Sequence, residues 1–286
     1  MKIKLLTPYG FCAGVELVLE KIEQIIQENE GKKIYCIGQL VHNNEVNRNL
    51  ANKGIEILEG EKKQLINQID EGVVVFSAHG TDPAIIKAAN DKGLKVYDCT
   101  CPFVKKTFDL IRQKSKEGYC VLYVGVKGHA ESEAALSLVQ NSILIENEED
   151  VKRLKIKKEK YFIINQTTLS IDNLDKIYTF AKKKIKNLCV ANEICNSTRK
   201  RQNVLKTNLL NVDGVVVVGD GHSNNTNTLL KLARDKGVDS IMIDSYDKID
   251  STWFTDKTNI IVCSGSSTSK ENVEKIYNFL KNFNKN

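Results

Sequence analysis

Residues 72–98 read GVVVFSAHGTDPAIIKAANDKGLKVYD, and this stretch decides the fold class. The run VVVF is apolar without alternation, which is typical of a strand covered on both faces in a mainly parallel sheet. The polar loop after it leads to Pro83, which suits the first turn of a helix, and Gly93 suits the end of that helix. A second apolar run, LKVY, follows. The stretch therefore predicts a strand, a crossover helix and another strand.

The same unit recurs along the chain. Six short β-branched runs are each followed by a polar loop and a segment with helical periodicity: KKIYCIG, GVVVFSA, YCVLYVG, KYFIINQ, GVVVVGD and NIIVCSG. This alternation predicts an α/β fold. Cys12, Cys101 and Cys195 each precede a helical segment, at nearly equal spacings. We therefore expect three similar α/β domains with mainly parallel sheets in a pseudo-threefold arrangement. Their expected bounds are 1–98, 99–194 and 195–286, and the N-terminal strand is free to pack with the third.

Composition and charge narrow the function classes. The chain has 286 residues, of which 41% are hydrophobic and 27% charged, with a net charge of +6. It has neither a signal-peptide apolar segment nor a run of about 18 apolar residues, so we expect a cytoplasmic protein with no membrane partner. The net charge fits an anionic ligand. Because the lysine runs lack interleaved aromatics, we interpret them as solvated surface rather than a nucleic-acid site.

Eight cysteines in a reducing compartment are core residues, metal ligands or catalytic thiols. Cys12, Cys101 and Cys195 precede helices, whose N-termini favour thiolates, so the three could converge on one anionic centre. Structural zinc sites usually use local C-x₂₋₄-C pairs, which this chain lacks, so an iron–sulfur cluster is favoured. Three thiolates would leave one iron open to a substrate oxygen. Cys99 remains ambiguous, and four others lie in apolar strands as expected core residues: Cys36, Cys120, Cys189 and Cys263.

The six loops after the strands hold every histidine of the chain, namely His42, His79, His129 and His222. The two loops without histidine offer hydroxyl groups at Thr167, Thr168, Ser266 and Ser267. Ligands bind at the carboxyl ends of parallel strands, and imidazoles, hydroxyls and helix N-termini suit a diphosphate. No glycine-rich nucleotide motif occurs. Beside a bound anion the pKa of Glu131 would be raised, as a proton donor requires. Alternatively, Glu131 is an ordinary acidic residue in the first turn of a helix.

These residues together resemble a known family. The motifs GFCAGV (residues 10–15), VHN (41–43), SAHG (77–80), TCP (100–102), GHAESE (128–133), QTTLS (166–170), ICN (194–196) and SNNTN (223–227) cover the chain in order. Together they are similar to those of 4-hydroxy-3-methylbut-2-enyl diphosphate reductases, enzymes of the methylerythritol phosphate route to isoprenoids. The resemblance implies a three-domain α/β fold around a central iron–sulfur site.

The resemblance also implies roles for residues. Cys12, Cys101 and Cys195 would hold a [4Fe–4S] cluster whose fourth iron is open to substrate. Glu131 would deliver protons and Thr167 would hold the substrate hydroxyl. The diphosphate would be bound by His42, His79, His129, Ser223, Asn224, Asn225 and Ser267. The implied reaction is a reductive dehydroxylation that yields isopentenyl or dimethylallyl diphosphate. An external electron donor of ferredoxin or flavodoxin type is implied, since no flavin or nicotinamide site is visible.

The chain departs from the family pattern in three places. Asn224 stands where a second serine is usual, residues 220–222 read Asp-Gly-His, and Ser269 replaces a proline. His222 has no family role and is interpreted as local structure. Two other classes stay open from the residues alone. One is an iron–sulfur redox sensor or electron carrier without a substrate, and the other is a basic RNA-associated protein.

Overall fold

The computed structural model describes residues 1–283, which form an α/β fold. The strands within this range are β1 (Lys2–Leu5), β2 (Ile34–Ile37), β3 (Ile55–Leu58), β4 (Val73–Phe76), β5 (Lys95–Asp98), β6 (Cys120–Val124), β7 (Ser142–Ile145), β8 (Tyr161–Asn165), β9 (Leu188–Val190), β10 (Gly214–Val218), β11 (Asp239–Ile243) and β12 (Asn259–Ser264).

The α-helices within the same range are α1 (Ala13–Glu28), α2 (Asn44–Asn52), α3 (Lys62–Gln68), α4 (Pro83–Asp91), α5 (Pro102–Lys116), α6 (Ala130–Ser137), α7 (Glu148–Arg153), α8 (Ile171–Lys184), α9 (Asn196–Asn208), α10 (Asn224–Asp235) and α11 (Lys270–Phe283). Two 3₁₀ turns, Tyr246–Lys248 and Ser251–Phe254, connect β11 to β12. No helix in the described part of the chain is both long enough and apolar enough to span a membrane.

The chain forms two compact units, which we call unit 1 and unit 2. Unit 1 comprises residues 1–15, residues 42–44 and the chain from Cys195 onward. Its four-stranded sheet has the order β1-β12-β10-β11, and every strand pair is parallel. The N-terminal strand β1 lies beside β12, with Lys2 opposite Asn259. The first strand of the chain therefore belongs to the same sheet as the last three.

Unit 2 comprises Glu16–Val41 and Glu45–Ile194. It holds two four-stranded parallel sheets with the orders β3-β2-β4-β5 and β7-β6-β8-β9. The prediction of an α/β fold with parallel sheets is thus confirmed. The domain bounds 1–98, 99–194 and 195–286 and the pseudo-threefold arrangement stay predictions.

The predicted apolar runs are the inner strands of the three sheets. The six runs correspond to β2, β4, β6, β8, β10 and β12, and each sheet has two of them at its centre. In β10, Val215 and Val217 pack in a cluster with residues of α9 and α10, whereas Val216 and Val218 pack in a cluster with residues of α11. Both faces are covered, which explains why these strands are apolar without alternation.

The sequence did not predict three of the edge strands, β3, β7 and β9. Each has only three or four residues and is partly exposed, so its apolar signal is weak.

The local signals for the start and end of a helix were more reliable than those for the edge strands. Pro83 lies in the first turn of α4, the Asp82 side chain accepts a hydrogen bond from the N–H of Ala84, and Gly93 adopts a positive φ of 77° after the helix.

Truncating a side chain on an inner strand should lower the free energy of unfolding more than truncating one on an edge strand of the same sheet. Ile163 on the inner strand β8 is fully buried, and Ile143 on the edge strand β7 is 37% exposed. We expect Ile163→Ala to lower the free energy of unfolding by about 2–5 kcal/mol, because it leaves a cavity in a packed layer. Ile143→Ala should cost less than half as much. Urea unfolding of the iron-free protein followed by circular dichroism measures both, and equal losses would contradict the assignment of inner and edge strands.

Candidate functional site

The predicted ligand-binding residues and Glu131 lie in the loops after the inner strands or in the first turns of the following helices. The three cysteines predicted as cluster ligands instead follow the edge strands β1, β5 and β9 and directly precede α1, α5 and α9. In unit 1 the predicted site residues are Cys12, His42, Cys195, Ser223, Asn224, Asn225 and Ser267. In unit 2 they are His79, Cys101, His129, Glu131 and Thr167.

Glu131 and Thr167 form a doubly hydrogen-bonded pair in unit 2. Glu131 is 1% exposed in the first turn of α6, and Thr167 is 4% exposed in the loop after β8. The backbone N–H of Thr167 donates to Glu131 Oε1 at 2.8 Å, and its hydroxyl donates to Oε2 at 2.9 Å. Because its proton is directed at the carboxylate, the lone pairs of the Thr167 oxygen remain available to accept a hydrogen bond from a ligand.

Burial raises the pKa of the Glu131 carboxyl to about 7, and the hydrogen bonds from Thr167 and Tyr123 lower it only in part. Tyr123 belongs to β6, is fully buried, and donates its hydroxyl to Glu131 Oε1 at 3.3 Å. Burial and the charge of Glu131 also raise the pKa of Tyr123. A carboxyl group with a pKa near neutrality can both hold and release a proton, as general acid catalysis requires.

His129 is directly connected to this pair. It is the N-cap of α6, and its Nδ1 accepts a hydrogen bond from the backbone N–H of Glu131 at 3.1 Å. The neutral ring therefore carries its proton on Nε2, which can donate to an anion. The rings of His79 and His129 meet edge to face, with their centroids 5.6 Å apart. The loops after β4 and β6 thus bring two of the predicted diphosphate ligands together.

Cys101 is held against the loop that carries His79. Its backbone N–H donates to the carbonyl of Ala78 at 2.9 Å, and it is the N-cap of α5. Gly80 next to His79 has a φ of +90°, and a Cβ there would lie 2.5 Å from a ring carbon of Phe108 on α5. The close approach of loop and helix requires glycine at this position.

Cys12 is fixed to the last strand-end loop of unit 1. Its backbone N–H donates to the carbonyl of Ser266 at 2.9 Å. In the same loop the Ser267 hydroxyl donates to the carbonyl of His42 at 3.0 Å, and Asn43 Nδ2 donates to the carbonyl of Ser267 at 2.6 Å. The segment 42–44 and the loop 266–267 therefore form one hydrogen-bonded corner that contains two predicted diphosphate ligands.

The first turn of α10 contributes a buried amide. Ser223 is the N-cap, and its Oγ accepts from the backbone N–H of Thr226 at 3.3 Å. Asn225 is 2% exposed, and neither polar atom of its side chain has a hydrogen-bond partner within residues 1–283. Burying an amide without a partner is unfavourable. A ligand at the start of α10 would remove this cost.

The eight cysteines occupy different environments. Four of them are buried, namely Cys36, Cys99, Cys120 and Cys263. Burial raises the pKa of each of these thiols, to about 12 for Cys36 and Cys263 and to about 11 for Cys99. Their thiols are therefore held neutral, and Cys99 fits a core residue. Cys189 on β9 is half-buried against an apolar cluster.

Cys12, Cys101 and Cys195 are also half-buried, and each directly precedes a helix. Cys195 Sγ accepts from the N–H of Thr198 at 3.5 Å, as an N-cap does. Among the residues that the structure describes, no group of three or more His, Cys, Asp and Glu side chains has metal-binding geometry. The set of cluster ligands stays a prediction.

Two of the three departures from the family pattern, at residues 220–222 and at Ser269, make local contacts. His222 Nδ1 lies 2.9 Å from Asp220 Oδ1, and the other oxygen of Asp220 accepts from the backbone N–H of Asn44 at 3.1 Å. The His222 side chain itself is 72% exposed. Ser269 Oγ accepts from the backbone N–H of Asn272 in the first turn of α11, at 3.2 Å.

The sequence did not reveal the importance of Tyr123 and Gln166. Tyr123 lies in an apolar strand and resembles any core aromatic residue. Gln166 Oε1 accepts from the backbone N–H of Val126 at 3.0 Å and from the Ser132 hydroxyl at 3.2 Å, so it joins the loops after β6 and β8. In the sequence Gln166 appeared as the first residue of the QTTLS motif (166–170), without a role of its own.

Residues 3–281 match the family described as LytB protein. The chain belongs to the LytB family. The 4-hydroxy-3-methylbut-2-enyl diphosphate reductase of Bacillus licheniformis is 36% identical over 288 residues, covering 99% of this chain and 91% of the relative. The enzyme of the same name from Malacoplasma penetrans is 37% identical over 278 residues, covering 94% and 93%. The family resemblance inferred from the motifs is confirmed.

Two solved structures are similar to this LytB chain. The E-1-hydroxy-2-methyl-but-2-enyl-4-diphosphate reductase of Plasmodium falciparum has a TM-score of 0.92 at 29% identity, with 98% of this chain and 88% of that chain covered. A structure of (E)-4-hydroxy-3-methyl-but-2-enyl diphosphate reductase has a TM-score of 0.69 at 29% identity, with 98% and 99% covered. LytB proteins are iron–sulfur oxidoreductases of isoprenoid biosynthesis.

The raised pKa of Glu131 predicts how stability depends on pH. The folded chain keeps this proton up to about pH 7, whereas an unfolded glutamate loses it near pH 4.5. Unfolding therefore releases a proton between these values, and the free energy of unfolding should fall across this window by up to about 3 kcal/mol. Tyr123→Phe removes a hydrogen bond that favours the carboxylate, so the fall should extend above pH 7.

Urea unfolding of the iron-free protein at a series of pH values measures this dependence. Glu131→Gln serves as the reference, because it lacks the titrating group and should lack this part of the pH dependence. Parallel curves for the wild type and Glu131→Gln would show that Glu131 has an ordinary pKa in the folded chain.

Proposed function

We propose that this chain catalyses the reductive dehydroxylation of 4-hydroxy-3-methylbut-2-enyl diphosphate. Two electrons and two protons are consumed, the allylic C–O bond breaks, and water and isopentenyl or dimethylallyl diphosphate are formed. The observation that carries the proposal is the buried Glu131–Thr167 pair, with a carboxyl pKa of about 7, in a chain of the LytB family.

A [4Fe–4S] cluster held by Cys12, Cys101 and Cys195 is part of the proposal. These cysteines fit thiolate ligands, because each is half-buried beside the N–H groups of a helix start, whereas four other thiols are held neutral by burial. When bound, the cluster would supply the electrons and, through the iron without a cysteine, a Lewis acid for the substrate hydroxyl.

The diphosphate is proposed to be bound by His42, His79, His129, Ser223, Asn224, Asn225 and Ser267. In unit 1 the buried Asn225 amide offers donors that have no partner within residues 1–283, and the Ser223 hydroxyl proton is not used by its capping bond. His42, Asn224 and Ser267 complete this part of the cradle. In unit 2, His79 and His129 contribute imidazoles, and Nε2–H of His129 is a donor. Such donors at helix N-termini suit phosphate oxygens.

Proton delivery is assigned to Glu131 acting through Thr167. The Glu131 carboxyl is 1% exposed, and it contacts the loop after β8 through the backbone N–H and the hydroxyl of Thr167, of which the hydroxyl can pass on a proton. Thr167 would accept a hydrogen bond from the substrate hydroxyl and orient it. For proton delivery both hydrogen bonds would reverse, with the protonated Glu131 carboxyl donating to Thr167 Oγ and the Thr167 hydroxyl donating to the substrate oxygen. As the Thr167 proton moves to the leaving oxygen, the Glu131 proton replaces it on Thr167, so hydroxide leaves as water and the barrier to C–O cleavage falls.

Electrons are proposed to come from a separate low-potential protein of the ferredoxin or flavodoxin type, in the cytoplasm. The small diphosphate is the substrate partner. Neither nucleic acid nor a membrane enters the proposed reaction.

Anaerobic reconstitution followed by turnover tests the proposal. We expect the purified chain to bind four irons, turn brown and convert the hydroxymethylbutenyl diphosphate with a low-potential donor. Cys101→Ser and Cys195→Ser should lose iron, whereas Cys189→Ser is the matched control and should keep it. A wild-type cluster whose Mössbauer spectrum does not change on addition of the diphosphate, with no turnover, would instead indicate a redox sensor or electron carrier.

Glu131→Gln isolates the proton donor. This variant should keep its iron and bind the diphosphate but lose about 10²–10⁴-fold in kcat, because the amide cannot donate an acidic proton. Glu133→Gln is the matched control, since Glu133 lies two residues further on and is exposed. Wild-type kcat in Glu131→Gln would remove Glu131 from this role.

A further inference from the structure

Arg201 is a buried cation in the middle of α9, with 5% of its surface exposed. Its Nη2 donates to the carbonyl of Gly10 at 2.7 Å, and its Nη1 donates to the carbonyl of Pro8 at 3.1 Å. Nη1 also lies 3.0 Å and 3.1 Å from the carbonyl oxygen and Oγ of Ser264, and Nε donates to Ser197 Oγ at 3.3 Å. The whole guanidinium group is therefore engaged within unit 1.

These bonds connect the segments that carry Cys12 and Cys195. Gly10 lies two residues before Cys12, and Ser197 lies two residues after Cys195. Ser264 ends β12, and two residues later the carbonyl of Ser266 accepts from the N–H of Cys12 at 2.9 Å. One side chain thus cross-links both cysteine-bearing segments and the strand end between them.

The charge of Arg201 is not balanced by a carboxylate in the part of the chain that the structure describes. Burial lowers the pKa of Arg201, and the groups that oppose this effect are three thiols, those of Cys12, Cys263 and Cys195. Burial raises the pKa of Cys263 to about 12, so that thiol is neutral near pH 7. Of these three thiols, those of Cys12 and Cys195 can supply negative charge to Arg201, and as metal ligands both would be thiolates.

We propose that Arg201 is a positioning residue of the iron–sulfur centre, which fixes the Cys12 and Cys195 segments and provides a permanent positive charge beside their thiolates. This inference rests on the proposed function, in which the two cysteines are cluster ligands. The guanidinium stays protonated at all working pH values, so its charge does not vary. A nearby positive charge stabilises the more negative, reduced form of a cluster and therefore raises its reduction potential.

Two substitutions separate the effect of the hydrogen bonds of Arg201, which fix the two cysteine-bearing segments, from the effect of its positive charge. Arg201→Gln removes the charge and most of the bonds, whereas Arg201→Lys keeps the charge and loses the planar set of donors. Lys200→Gln is the matched control, because it removes an exposed positive charge from the preceding position of the same helix. Three quantities are measured: the midpoint potential of the reconstituted protein, the resistance of its iron to a chelator, and the Tm of the iron-free protein.

We expect Arg201→Gln to shift the midpoint potential to a more negative value, with Arg201→Lys and Lys200→Gln close to wild type. Iron affinity should fall by about 10–100-fold in both Arg201 variants, as loss of a supporting contact around a metal typically causes. The Tm of the iron-free protein should also fall in both, because buried carbonyls lose their donors. Arg201→Met is a second neutral variant, if Arg201→Gln does not fold.

If the cluster-containing Arg201→Gln and Arg201→Met variants keep the wild-type midpoint potential, the electrostatic role of Arg201 is wrong. If Arg201→Lys keeps the wild-type iron affinity, the proposal that the hydrogen bonds of Arg201 fix the Cys12 and Cys195 segments is wrong. A wild-type chain that binds no iron would instead overturn the proposed function, and this inference with it. The two failures are therefore distinguishable.

Discussion

A strand that pairs in parallel with its neighbour cannot be joined to it by a tight turn, so the chain must cross the sheet as a helix. This requirement is met repeatedly in the three sheets, and it places a loop and a helix N-terminus after each inner strand. Helix N-termini present unpaired N–H groups and a partial positive charge. The polar residues in these loops therefore meet an environment that suits an anion, and every histidine of the chain lies there. The topology thus creates the binding positions before any particular side chain is considered.

The acid of the proposed reaction depends on a balance between burial and hydrogen bonding. Removing Glu131 from water disfavours its charged form, whereas the bonds from Thr167 and Tyr123 favour it. Burial is the larger effect, and the resulting pKa of about 7 leaves the group able to donate a proton near neutral pH. The same contacts fix both carboxyl oxygens, and Oε2 faces the Thr167 hydroxyl, through which the proton is proposed to leave.

Cysteine shows how one side-chain type takes different roles in different surroundings. Inside apolar strands, as at Cys36 and Cys263, the thiol is held neutral and packs as a small hydrophobic group. Directly before a helix, the Cys195 thiol accepts from the backbone N–H of Thr198, and the buried charge of Arg201 interacts with the thiols of Cys12 and Cys195. The proposed division between core cysteines and cluster ligands follows from this difference in local charge and burial.

The sequence by itself determined the α/β class, the six inner strands, the family and the loops that carry the candidate site, because apolar runs and turn residues are local signals. It did not determine the edge strands β3, β7 and β9, whose partial exposure weakens their pattern. Nor did it reveal Tyr123 or Arg201, which resemble a core aromatic residue and a surface cation in the sequence. Tertiary structure decided their importance, because it buried the phenol against Glu131 and the guanidinium between the two cysteine-bearing segments. Burial depends on residues distant in the chain, and no local pattern records it.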